Sequence, residues 1–224
     1  MKRVFFQNRE EGAKLLADQL TWLRRRKREE IRDSPLVILA IPRGGVVTGN
    51  VIASILSAKL DILVSEKIVS PYNFNITIGA VVHDGTSYSL SKHKGEEERR
   101  YFNEQVSNTI KQIERRLERF RGNNTYDLKG KTVLLVDDGM ATGATMFAAT
   151  QWVRTQEPKE LIVAVPVAPR AAVDILARVA DRIIVVNCCP HYDNVGEYYR
   201  DFICVTDEEV EKIIKSPYEP INTC

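Results

Sequence analysis

Two adjacent carboxylates, Asp137 and Asp138, close the apolar run Val133-Leu134-Leu135-Val136 and lead directly into Gly139-Met140-Ala141-Thr142-Gly143-Ala144-Thr145. A β-branched run, a break of small residues and then an Ala-rich apolar segment read as strand, tight loop, helix. That order can build a phosphate cradle. Gly139 and Gly143 allow backbone conformations closed to residues with a Cβ, freed N–H groups can converge, and the following helix offers the positive end of its dipole. Thr142 and Thr145 add hydroxyl donors, and the acidic pair stands at the C-terminal edge of a strand, where open α/β sheets hold their ligands.

A second unit of the same form lies upstream. Leu36 to Ile41 is continuously apolar, as expected of a parallel strand buried on both faces. Pro42-Arg43-Gly44-Gly45 breaks it, and Val46 to Leu56 continues at helical spacing. Arg43 turns this loop from a simple chain reversal into a candidate anion site. Leu60 to Ile68 is expected to be the next strand, with Glu66 and Lys67 near its end on the edge that holds both loops. Ser70 to Thr77, with Pro71, Tyr72, Asn73, Phe74 and Asn75, is a candidate mobile lid leading into the strand Ile78 to Val82.

The remaining elements must position these groups. Asn8 and Glu11 suggest a capping box opening a first helix with the apolar stripe Leu15, Leu16, Leu20 and Leu23. Its charged end, Arg24-Arg25-Arg26-Lys27-Arg28, is offset by Glu29 and Glu30 and reads as solvated. From Glu96 to Phe120, Phe102, Val106, Ile110, Ile113, Leu117 and Phe120 recur every three or four residues, predicting a long amphipathic helix whose stripe faces the core or a second subunit. Gly122-Asn123-Asn124 and Lys129-Gly130 mark turns. Further strands are expected over Glu160 to Val165 and Arg182 to Asn187, with helices over Thr142 to Gln156 and from Pro169. Cys188 to Phe202 is expected to be irregular, a binding loop or subunit contact, and Thr206-Asp207-Glu208-Glu209 to open a last helix with a capping box.

With 224 residues, 44% hydrophobic and 28% charged, the chain suits one large domain able to bury a sizeable core. Thirty-two basic against thirty acidic residues is too balanced for a general nucleic-acid binder. No apolar run reaches the roughly 18 residues of a membrane span, and Met1 to Phe6 lacks a signal-peptide pattern, so a cytoplasmic protein without a membrane partner is expected. The four cysteines, Cys188, Cys189, Cys204 and Cys224, are expected to be reduced. Cys188, Cys189 and His191 lack a fourth ligand at usable spacing, which favours packing over metal binding.

The stretch Val136 to Thr145 resembles the phosphoribosyl-diphosphate (PRPP) signature of type I phosphoribosyltransferases, an ordered match of strand, acidic pair, small-residue loop and threonines. Pro42 to Gly45 is similar to the family's pyrophosphate loop, Lys67 to its basic residue before a flexible loop, and Gly196 to Phe202 to the hood of purine-salvage members. The chain is most similar to bacterial and archaeal members without an assigned acceptor. The resemblance implies an α/β fold, an open, mainly parallel twisted sheet flanked by helices. It implies a single domain over 1–224, with a core of about 36–187 and a small hood from about 1–30 and 188–224.

It implies that Asp137 and Asp138 bind the ribose hydroxyls, that Gly139, Met140, Ala141, Thr142, Gly143, Ala144 and Thr145 hold the 5-phosphate, and that Arg43, Gly44, Gly45, Lys67 and Arg200 face the pyrophosphate. Asp137, Asp138, Lys67 and Arg43 are the catalytic candidates, and Tyr192 and Val195 the candidates for stacking on a planar base. Mg²⁺ would be bound mainly through PRPP rather than by a protein cage. The implied reaction displaces pyrophosphate from C1 of the sugar by a nitrogen of a nucleobase-like acceptor, in a homodimer, without nucleic acid.

The match departs at Ala141, where 6-oxopurine enzymes carry a further aspartate. A lysine for the 6-oxo group has no equivalent in Val163 to Arg170, and a metal-contacting aspartate ahead of the hood arginine is absent. A hypoxanthine or guanine acceptor is therefore not expected. Two other readings stand beside the transferase. One is a PRPP-binding regulator with the same fold and no turnover. The other, a nucleotide-binding protein of another class, lacks both a P-loop and a dinucleotide fingerprint.

Overall fold

The computed structural model describes residues 5–24, 34–90, 95–190 and 194–216. Its centre is a five-stranded parallel sheet of β1 (Leu36–Ala40), β2 (Lys59–Ile62), β6 (Thr132–Val136), β7 (Glu160–Pro169) and β8 (Arg182–Cys189), in the order β2-β1-β6-β7-β8. Each strand sends alternate side chains to opposite faces. Val37, Leu39, Val133, Leu135, Leu161 and Val163 meet Met146, Trp152 and Val153 of the Ala144–Thr155 helix on one face. On the other, Ile38, Leu134, Val136, Ile162 and Ala164 meet Leu16 of the Arg9–Gln19 helix, Leu20 at its C-cap and Ile52 of the Gly44–Leu56 helix. Burial on both faces accounts for the continuous apolar runs in the sequence. Register brings Ala40 opposite Val136, so the loops after β1 and β6 leave the sheet side by side. β7 continues four residues past the expected Val165, paired with β8 as far as Pro169 and Cys189.

The first helix starts at Asn8 as expected, but the capping box is not closed, because Glu11 reaches past the cap residue. Asn8 Oδ1 accepts the Glu11 N–H at 3.0 Å, and the Glu11 carboxylate returns to the Gln7 N–H. Its buried face is Ala13, Leu16, Ala17 and Leu20, whereas Leu15, expected in the stripe, is exposed. Helical periodicity selects positions three and four apart, and Leu15 falls off that face. Arg25 to Arg28, with Glu29 and Glu30, lie outside the described residues.

The expected strand over Leu60 to Ile68 is two strands. β2 ends at Ile62, the chain crosses at Leu63 and Val64, and β3 (Ser65–Val69) pairs antiparallel with β4 (Thr77–Val82), which pairs with β5 (Ser87–Ser89). Leu63 and Val64 are fully buried because the crossing runs through the interior, so no polar or glycine break betrays it. Lys67 therefore belongs to the second sheet and not to the edge of the first. The Glu96–Arg121 helix covers this sheet, as its stripe predicts. Phe102, Ile113, Leu117 and Phe120 are buried against Val64, Ile68 and Val81, and Gly122 ends the helix at a φ of 72°.

Residues from the two ends of the described chain meet beside the β7 and β8 ends. Phe6 bridges to Tyr199, and Phe6, Val167, Cys189, Tyr198 and Tyr199 form a small core. The stretch after Cys188 is more regular than expected: Cys188 and Cys189 complete β8, and Val195–Tyr198 is a 3-10 turn. Cys189 packs, with Sγ 3.4 Å from the Ala168 carbonyl, while Cys188 is exposed; His191 and Cys224 lie outside the described residues. The Asp207–Lys215 helix opens with the expected capping box of Thr206 and Glu209. Among the described residues no helix is long and apolar enough to cross a membrane.

Candidate functional site

β6 delivers Asp137 and Asp138 to the sheet edge, and the loop after β1 packs directly beneath them. A Cβ on Gly44 would lie 1.9 Å from Asp138 Oδ2, and one on Gly45 2.9 Å from both the Asp137 Cα and Oδ1. Both glycines are thus needed for space, since any side chain would displace the acids. Asp138 is nearly buried, and its Oδ2 accepts a charged hydrogen bond from Arg9 Nε at 2.6 Å. Its backbone carbonyl accepts the Tyr199 hydroxyl at 2.6 Å. Asp137 Oδ1 accepts the Asp138 N–H at 2.8 Å, folding the pair against itself. Burial pushes the Asp137 carboxyl well above the usual aspartate range, and the neighbouring Asp138 charge pushes the same way, while Lys67 pulls against both.

Past the acids the chain forms the rim of a cleft of about 350 Å³. Lys67, Asp137 and Asp138 line one side, the Gly139 to Gly143 loop and Thr145 the floor, and Asn194, Val195 and Phe202 the far wall. Gly143 has a φ of 76°, a left-handed turn that suits glycine, and hands the chain to the Ala144–Thr155 helix. Gly143, the cap residue, brings no side chain to that helix, and Thr142 Oγ1 accepts the Ala144 N–H at 3.4 Å. The next N–H groups of the first turn lack partners within the helix and suit an anion. Gly139 does a different job from the one its type suggests. Its φ is not left-handed, but a Cβ there would lie 2.6 Å from Val195 and 2.8 Å from Val167, so it admits the wall of the cleft.

The sequence-selected residues divide into two groups. Asp137, Asp138, Lys67, Met140, Ala141, Thr142, Thr145 and Val195 converge on the cleft, with Gly139 and Gly143 shaping it. Ala144 is buried as the first residue of the helix. Arg43 and Arg200 are both exposed and do not line the cleft. The Pro42–Arg43 peptide bond is cis, and the Arg43 guanidinium lies 3.7 Å from Asp207 on the last helix. Tyr192 lies outside the described residues.

Sequence reasoning misses Arg9, Asn194, Tyr199 and Phe202 as individual site residues. Arg9 is held by Asp138, by the Ile203 carbonyl at 2.6 Å and by the Phe202 ring, 3.8 Å below its guanidinium. Tyr199 and Phe202 stack at 5.2 Å between ring centres. Arg9 and Asp138 are 129 residues apart in the chain, and an arginine in a first helical turn carries no local signal of its partner. The aromatic run Tyr198, Tyr199 and Phe202 is the available signal for the wall.

The chain matches the phosphoribosyl transferase domain family over residues 10–194. It is 31% identical over 221 residues, 92% of its own length, to a Mycobacterium tuberculosis H37Rv protein provisionally named a phosphoribosyl transferase; the same match is found in strain CDC 1551. The chain spans about half the length of these relatives, 45%. Among solved structures, the protein TT1426 from Thermus thermophilus is 33% identical, with a TM-score of 0.75 over 96% of this chain and 99% of that one.

Proposed function

Since the chain belongs to the phosphoribosyl transferase family, we propose that it binds PRPP and transfers the 5-phosphoribosyl group to a nitrogen acceptor, releasing pyrophosphate. One observation carries the reading: an acidic pair, a glycine-bounded loop and a helix N-terminus border one cleft, with a lysine at its rim. Carboxylates accept hydrogen bonds from a sugar diol, and the loop and helix end suit a phosphate. The Asp137 and Asp138 carboxylates would hold the ribose hydroxyls and the loop to Thr145 the 5-phosphate. Lys67 would stand near the leaving pyrophosphate.

The C1–O bond to pyrophosphate breaks as the C1–N bond forms, its electron pair leaving with pyrophosphate, and the acceptor nitrogen gives up its proton to the departing pyrophosphate or to water. The chain's part is to orient the sugar, to stabilise the departing charge and to exclude water. The turn Ser70 to Ile76 between β3 and β4, with Tyr72 and Phe74 exposed, is suited to the last task. The cleft's carboxylate and hydroxyl oxygens are donors of the type Mg²⁺ accepts. Mg²⁺ would be carried mainly by the phosphate oxygens of PRPP and by water, neutralising the leaving group. Ala141 offers no carboxylate at the cleft floor, which favours an acceptor other than a 6-oxopurine.

Calorimetry with PRPP and Mg²⁺ tests binding: the wild type binds at millimolar ligand or below, and Asp137→Asn with Asp138→Asn loses about 100-fold or more in affinity, from two charged hydrogen bonds. No wild-type binding, or unchanged binding in the double variant, removes the reading. Turnover is tested by pyrophosphate release across purine, pyrimidine and other nitrogen acceptors. A second reading, a PRPP-binding regulator without turnover, is favoured by the side chains of Arg43 and Arg200 lying away from the cleft. Binding without pyrophosphate release on the whole panel selects it.

A further inference from the structure

Arg9 stands outside the cleft but touches the group that matters most within it. Its Nε donates to Asp138 Oδ2 at 2.6 Å, and both side chains are about nine-tenths buried, at 11% and 12% exposure. The planar guanidinium is fixed at two further points: Nη1 donates to the Ile203 carbonyl at 2.6 Å, and one face lies 3.8 Å from the centre of the Phe202 ring. Phe202 is itself part of the cleft wall.

We infer that Arg9 is a positioning residue for sugar recognition, one that clamps the Asp138 carboxylate so that its Oδ1 is presented to a diol. This rests on the sugar-binding reading proposed above. Burying an ion pair is expensive, and an apolar pair of the same volume stabilises a fold as well or better. A pair that persists at the lip of a cleft therefore calls for a reason other than stability. Geometry supplies one. Oδ2 is occupied by Arg9, Gly44 is packed against the same oxygen, and the Tyr199 hydroxyl fixes the Asp138 backbone from a third direction. The Asp138 side chain also shares a hydrogen bond with the Asp137 carboxyl, which ties the two acids together. The carboxylate cannot swing, and it stays beside Asp137.

Lysine could supply the charge but neither the planar fork nor the aromatic stacking that hold the guanidinium in place. Arg9→Lys is thus expected to fall between the wild type and Arg9→Met. A purely structural Arg9 would weaken all ligands alike, whereas a positioning Arg9 acts on the diol alone.

The experiment compares ribose 5-phosphate with 2-deoxyribose 5-phosphate by calorimetry in wild type, Arg9→Lys and Arg9→Met. The wild type should prefer the ribose compound about tenfold or more, the equivalent of one hydrogen bond to a charged group. In Arg9→Met that preference should fall toward unity, through loss of affinity for ribose 5-phosphate, while affinity for the deoxy compound, which lacks one of the hydroxyls that the clamped carboxylate would hold, changes less than about twofold. Arg9→Lys should be intermediate. A wild-type preference kept in full by Arg9→Met overturns the inference. If Arg9→Met does not fold, Arg9→Lys decides: a full wild-type ratio there overturns the inference, and a reduced ratio with unchanged deoxy affinity sustains it. A wild type that binds both sugars equally defeats the sugar-diol reading itself, and this inference with it.

Discussion

The loops after β6 and β1 leave the sheet at the same edge, in register, and both follow a strand with glycines, yet they treat their polar groups differently. The first turns its acids, hydroxyls and helix N-terminus toward the cleft. The second offers glycines to pack under those acids, while its one long polar side chain, Arg43, reaches away to Asp207. In the first loop the functional groups are on or next to the backbone, so the strand and the Gly143 turn place them. A long, exposed arginine goes where the nearest carboxylate is, and that carboxylate is far away in sequence.

Gly44→Ala is the strongest way to break the contrast, because it makes the second loop intrude on the first. Its Cβ would meet Asp138 Oδ2 at 1.9 Å and Arg9 Nε at 2.9 Å, and the carboxylate has nowhere to turn without giving up Arg9. We expect a loss of about 1–3 kcal/mol of stability in urea denaturation, as for other overpacked sites. PRPP affinity should fall about 10–100-fold, as expected when a charged hydrogen bond is misplaced. Gly44 does not occupy a left-handed conformation, so the loss would come from collision and not from backbone strain.

A milder change sharpens the contrast from the other side. Asp207→Asn removes the charge that Arg43 leans toward, and Arg119 keeps Glu208 and Glu211 as partners. An exposed pair is worth roughly 0.2–1 kcal/mol, so freeing Arg43 should raise pyrophosphate affinity by no more than about fivefold. The gain should shrink in high salt, where such charges are screened. Weaker binding in this variant would show that Asp207 holds Arg43 in its working position.

These differences also explain what the sequence could and could not reveal. The acidic pair, the glycine-bounded loop after it and the strand-loop-helix units are legible because each is continuous in sequence and its periodicity is enforced by burial on both sheet faces. The break between β2 and β3 is not, since Leu63 and Val64 are as apolar as the strands they join and the crossing lies inside the core. Lys67 reaches the cleft even though it stands on a different sheet from the one expected, because its position just before the Ser70 to Thr77 turn is the same in either arrangement. Arg9 and Tyr199 are invisible for a different reason: each acts through one hydrogen bond to Asp138, across 129 and 61 residues, and neither type at its position signals a partner. Gly139 and Gly44 stand out in the sequence as glycines, but only the neighbours crowding them show that space, not backbone freedom, is what they provide.

The smallest predicted effect concerns the fold's own tolerance of the acidic pair. Burial and the adjacent Asp138 raise the folded-state pKa of Asp137 above its ordinary value of 3.8. Between that value and the raised one the folded chain binds more protons than the unfolded chain. Stability from this group is therefore fully present below about pH 3.8 and is lost as pH rises through the raised value. At neutral pH the buried Asp137 carboxyl is therefore a cost to folding. Asp137→Asn keeps an oxygen to accept the Asp138 N–H and removes the charge. It should melt a few degrees higher than wild type at pH 7, with the advantage shrinking as pH falls toward the ordinary aspartate range. Scanning calorimetry from pH 7 to 4 checks both the sign and the slope. An Asn variant that melts lower at every pH would mean that Lys67 and other nearby dipoles compensate the buried charge in full, and that the acidic loop is as relaxed as the β1 loop beside it.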